Sequence, residues 1–229
     1  MTSHDAHFSP ALFQFLGELK LNNERPWFEA NKARYIAEVR DPMLRFIGDF
    51  APHLRSISPH FVADPRPNGG SLFRIYRDVR FSKDKSPYKT MAAAHFRHAT
   101  AKDVHAPGFY LHLEPGGCFL GTGIWHPDSP TLAKIRENIV DDPDGWTAAK
   151  SDPAFARAWQ LSGDSLKRPP KGYDADHPLI EDLKRKDFVS VASVEEEAVC
   201  APDFLDRFAG LCRSAAPFMR YLTRAVGAN

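Results

Sequence analysis

Residues 108–125, GFYLHLEPGGCFLGTGIW, decide the fold. Phe109, Leu111 and Leu113 alternate with Tyr110, His112 and Glu114, and Pro115-Gly116-Gly117 then turns the chain into a second extended run from Cys118 to Trp125. Period-two alternation on either side of a glycine turn marks a hairpin. Met91 to Phe96 adds a strand before it and Phe188 to Val194 alternates again, so the middle of the chain reads as an antiparallel meander.

The flanks read as helix. Ser9-Pro10 is a cap and first-turn signal, followed by Leu12, Phe13, Leu16 and Leu19 at helical spacing. Trp27 to Val39 suggests a second helix, Pro42 starts a third carrying Phe46, Ile47 and Phe50, and Pro127-Asp128 introduces another. A last helix opens at Pro202 and runs through Val226. Helices at both ends, without a strand-helix-strand rhythm, predict a single α+β domain: a meander packed by N-terminal and C-terminal helices.

Composition narrows the class. Of 229 residues, 43% are hydrophobic and 26% charged, and 30 Lys and Arg against 29 Asp and Glu leave +1. No global field recruits nucleic acid or an anionic membrane. Cys118, Cys200 and Cys212 form no CxxC pair, which argues against a secreted disulfide scaffold and for the cytoplasm. Neither a signal peptide nor a transmembrane span is expected. GxSxG, GxGxxG and GxxxxGK[ST] are absent, and no cofactor is expected.

Leu72 to Thr90 is the most unusual stretch. Its apolar residues fit either a helix or a strand. It holds Arg74, Arg77, Arg80, Lys83, Lys85 and Lys89 against Asp78 and Asp84, a local charge of +4. Converging guanidinium forks would hold a phosphate or carboxylate in fixed orientation. A solvated face with internal ion pairs, Asp78 with Arg74 or Arg77 and Asp84 with Lys83 or Lys85, fits the same residues. Tyr88 among these cations would have a lowered pKa suited to acid-base work, or would simply lay its ring on the core.

Histidines form the next set. His95 and His98 make an HxxH, but on a strand they point to opposite faces, so no metal site is expected; His105, His112 and His126 follow. Tyr110, His112 and Glu114 share one strand face, which is either a histidine-carboxylate pair aimed at a cleft or a polar outer surface.

Four segments carry a family resemblance: NNERPWFEANKARY (22–35), RIYRDVRFSKDKSPYKT (74–90), GFYLHLEPGG (108–117) and PPKGYDADHP (169–178). Together they resemble the domain-of-unknown-function 2461 family, over about residues 8–226. The resemblance implies one full-length domain, a bacterial or fungal setting, and no established activity. It also implies that Arg77, Asp78, Arg80, Phe81, Asp84, Lys85, Pro87, Tyr88 and Lys89 belong to the defining pattern.

The expectation is therefore a cytoplasmic protein that holds a small phosphate- or carboxylate-bearing ligand between Arg74 and Lys89, with Lys171 and Tyr173 as a second wall. If it is an enzyme, Tyr88, Asp78 or His112 would move protons. The competing expectation is a nucleic-acid or protein-binding module that uses the same basic patch, with Phe81, Tyr76 and Tyr88 to stack on bases.

Overall fold

The computed structural model describes residues 5–99 and 106–228, so the expectation about His105 lies outside the described residues. The chain begins with α1 (Pro10–Leu21), whose Leu12, Phe13, Leu16 and Leu19 are all buried, as their spacing requires. The predicted second helix is three pieces: α2 (Arg25–Ala30), α3 (Lys32–Arg34) and a π-helical turn over Tyr35–Arg40 that runs into α4 (Asp41–Ile57).

Residues 72–90 are neither helix nor strand. They form an irregular extended arm with isolated bridges, Leu72 to Ala94 and Tyr76 to Tyr88. The Arg77 N–H donates to Pro87 O at 2.9 Å and the Lys89 N–H to Ile75 O at 2.8 Å, so the arm folds back on itself. Asn23 pins it: its amide donates to Tyr88 O at 2.9 Å and accepts from the Tyr88 N–H at 3.0 Å.

The meander follows as β1 (Ala92–Arg97), β2 (Gly108–Leu113) and β3 (Phe119–Ile124). After α5 (Ser129–Asp141), α6 (Pro143–Ser151) and α7 (Pro153–Ala158) come a short β4 (Gln160–Ser162), α8 (Ile180–Leu183) and β5 (Phe188–Ser193). The sheet order is β1-β2-β3-β5-β4 and every pairing is antiparallel. β4, which is only three residues long, was not predicted. The predicted last helix is broken into α10 (Phe204–Ser214) and α11 (Ala216–Val226), preceded by the short α9 (Glu196–Val199). Pro217 sits in the first turn of α11 and has no N–H to continue the hydrogen-bond ladder of α10.

Because side chains alternate across a strand, the sheet has two unlike faces. One carries Phe96, Phe109, Leu111, Leu120, Ile124 and Phe188, all fully buried. Against it pack α4, α10 and α11, through ring pairs such as Phe50 to Phe96 at 4.8 Å and Phe96 to Phe208 at 5.7 Å. The other face is not covered by these helices, and the register places His95, Tyr110, Gly121 and Val191 in one row across it.

Candidate functional site

The helix-free face of the sheet holds a pocket of about 480 Å³, within the size range of small-molecule sites. Its floor is β2 and β3, where glycines replace side chains. Gly123 has φ of +117°, a conformation side chains avoid, and a Cβ at Gly108 would fall 2.2 Å from His95 Nε2, so the imidazole occupies that space. Rings make the walls: Phe73 from the arm, Phe119 and Trp125 from β3 and its end. The Phe73 N–H bonds to Ala93 O at 2.9 Å, which fixes the arm's root to the edge of β1 and sets the Phe73 ring 6.1 Å from Tyr110.

Tyr110, His112 and Glu114 form one hydrogen-bonded chain along this face. The Tyr110 hydroxyl lies 2.9 Å from His112 Nδ1, and His112 Nε2 lies 3.3 Å from Glu114 Oε2. Thr90 donates to the other carboxylate oxygen of Glu114 at 3.0 Å. An ionised carboxylate only accepts, so Nε2 carries the imidazole hydrogen and Nδ1 accepts from the phenol. Burial pushes the His112 pKa below its ordinary value, against the upward pull of Glu114. Burial, with the Glu114 charge adding, pushes Tyr110 up to about 12. At neutral pH this is a neutral imidazole oriented by a carboxylate and bonded to a protonated phenol, the arrangement by which a base activates a hydroxyl.

Behind the rim, Asp187 is almost fully buried and ties two loops together. It accepts from the His126 N–H at 2.7 Å and the Asp164 N–H at 2.9 Å, and the His126 ring lies 3.1 Å away with its residue at φ 47°.

The basic residues of the arm lie elsewhere, and four of the six are engaged with carboxylates or carbonyls of the arm itself. Arg77 pairs with Asp84, and Arg80 with Asp78 at 2.6 Å. Lys85 donates to Val79 O at 2.9 Å, and Lys89 to the carbonyls of Arg74 and Tyr76 at 2.7 Å each. The ion pairs are internal to the arm, though between other partners than the sequence suggests. Arg80 holds the Asp78 carboxyl down at about 2, while Ser86 and then Arg77 lower that of Asp84. Arg74 and Lys83 are exposed, and Phe81, at 96% exposure, stands at the arm's tip. None of the six cations lines the sheet pocket.

Tyr88 corrects one expectation. Its ring is buried and stacked on Phe28 at 4.1 Å, and burial raises its pKa rather than the cations lowering it. Lys171 and Tyr173 sit in the proline-rich loop, where Tyr173 is half-buried and feels Glu137 and Arg136 of α5. Among the described residues no hydrogen bond or ion pair joins that loop to the arm. His95 and His98 do point to opposite faces, His95 into the pocket and His98 against His60 at 5.4 Å. No group of three potential metal ligands gathers among the described residues.

An internal pair on an exposed arm contributes little to stability. Arg77→Ala is therefore expected to leave the fold intact and change Tm by less than about 2 °C, read by differential scanning calorimetry. A larger drop would make Arg77 a structural member of the arm.

A single α+β domain with an aromatic-walled pocket and a tyrosine-histidine-glutamate chain on the helix-free face of its sheet is the class these features define. The chain belongs to the conserved hypothetical protein (DUF2461) family, whose model matches residues 11–221. No curated protein matches it. No helix among the described residues is long and apolar enough to cross a membrane.

Proposed function

We propose that the protein binds a small molecule in the sheet pocket and that Tyr110, acting with His112 and Glu114, exchanges a hydrogen with it. What carries this reading is the relay itself: three polar side chains joined in one chain, two of them lining a pocket walled largely by aromatic rings. A ligand donor placed on the Tyr110 oxygen gives its proton to that oxygen as the phenol proton passes to His112 Nδ1. Glu114 stabilises the imidazolium that results. Three free thiols suit a reducing cytoplasm as the setting.

The anionic ligand expected from residues 74–89 finds less support, because Arg77 and Arg80 already have carboxylate partners. A ligand-observed NMR screen of a fragment library tests the proposal. Hits are expected whose affinity falls at least tenfold in Tyr110→Phe, with Tm held within about 2 °C of the parent. Hits that bind Tyr110→Phe equally well, or none that depend on the pocket, overturn it.

A further inference from the structure

We infer that the ligand of this pocket is an uncharged, flat ring compound of one or two fused rings that presents an O–H or N–H donor to Tyr110. This rests on the pocket reading above and adds the chemical class.

Charge comes first. Among the described residues no Lys, Arg, Asp or Glu side chain lines the pocket. His95 is held neutral by burial, with Arg97 adding to the effect, and the pKa of His112 is lowered as well. A bound phosphate or carboxylate would lose its water and meet no counter-charge among these residues, and a cation would fare no better.

Shape comes second, and Gly121 is the informative residue. Gly123 is required by its backbone and Gly108 by the His95 ring, but Gly121 is required by neither. Its φ is not positive, and a Cβ there would make only ordinary contacts, 3.4 Å to Tyr110 Cβ and 3.5 Å to Tyr110 Cδ1. Glycine inside a strand weakens it and marks a bulge, a bend or the close approach of a ligand or another backbone, and the pairing through Gly121 is regular on both sides, without a bulge. Here it leaves a strip of bare backbone between Tyr110 and Val191, its neighbours in the row across the sheet. Phe73, Phe119 and Trp125 stand around that strip. A flat ring laid on the strip meets the side walls ring to ring, which aromatic pairs favour.

Hydrogen bonding comes third. The Tyr110 hydrogen is committed to His112, so the phenol oxygen is left as an acceptor, and the ligand supplies the donor.

The test measures binding of 2-naphthol and 2-naphthoate at pH 7 by saturation-transfer NMR, on the parent protein and on Gly121→Val, which places two methyl groups where the ring would lie. The variant is expected to keep or raise Tm, since valine favours strands, so a loss of binding is not a loss of fold. The expected result is 2-naphthol at least tenfold tighter than 2-naphthoate, with its binding lost in Gly121→Val. Naphthoate binding as tightly or more tightly, and also lost in the variant, overturns the uncharged class but leaves the pocket reading standing. Neither probe giving a signal sensitive to Gly121→Val overturns both. Sedimentation analysis adds one outcome: a dimer that the parent forms and the variant does not, with no probe binding, would assign this face to a second copy and overturn both.

Discussion

Phe50→Ala is expected to lower the unfolding free energy by about 4 kcal/mol and Tm by roughly 10 °C. Phe50 is fully buried on α4 and its ring touches two other elements: Phe96 of β1 at 4.8 Å and Phe208 of α10 at 4.7 Å, both edge-on. Truncation removes the apolar transfer energy of the ring and leaves a cavity, and the neighbours cannot collapse into it. Phe96 is anchored in a ladder paired with β2, and Phe208 on a helix that also packs Phe46 at 5.3 Å. The edge-to-face contacts add a further increment beyond area. Urea denaturation monitored by circular dichroism measures the loss, and Phe50→Leu, which fills more of the space, should lose less. A Phe50→Ala variant within about 1 kcal/mol of the parent would mean that the core relaxes around the gap.

That cluster was legible in the sequence because both of its periodicities are strong. Phe46, Ile47 and Phe50 recur at helical spacing after Pro42, and Phe109, Leu111 and Leu113 at spacing two. Elements broke where a local rule was overridden. Val226 continues the apolar stripe begun at Phe204, yet Pro217 starts a new helix, and the stripe alone does not show the break. The arm defeated periodicity for a different reason. Its shape comes from long-range partners, Asn23 at Tyr88 and Ala93 at Phe73, which no local pattern encodes.

The site was half legible. Alternation alone sets Tyr110, His112 and Glu114 on one face, and the sequence reading named that face. It does not show that the opposite face takes the packing helices α4, α10 and α11, which leaves Tyr110 and His112 lining a pocket. His95 and Gly121 join them only through the register of β1 and β3 against β2. The dense charge of 74–89 drew attention away, because a count of cations does not reveal that Asp78 and Asp84 are spent on Arg80 and Arg77.

His95 should make the protein sensitive to acid. Its ring lies across Gly108 at the pocket floor, and burial, with Arg97 adding, brings its pKa down to about 4 from the ordinary 6.5. The unfolded chain takes up this proton first as pH falls, so protonation favours unfolding. The penalty is absent above about pH 6.5, grows as pH falls towards 4, and is complete below that. At about 1.36 kcal/mol per pH unit the full loss is about 3 kcal/mol. His95→Gln removes the titrating group, so urea denaturation at pH 7 and pH 4 should show a gap between the two pH values that is smaller in the variant by about 2 kcal/mol or more. Equal gaps in parent and variant would mean that the His95 ring reaches water. The same protonation bears on the site, because a charged imidazole would stand at the floor of a pocket lined mostly by rings and bare backbone. Binding of 2-naphthol should weaken in the parent between pH 5 and pH 4 and weaken less in His95→Gln, where His112 is the imidazole left in the pocket.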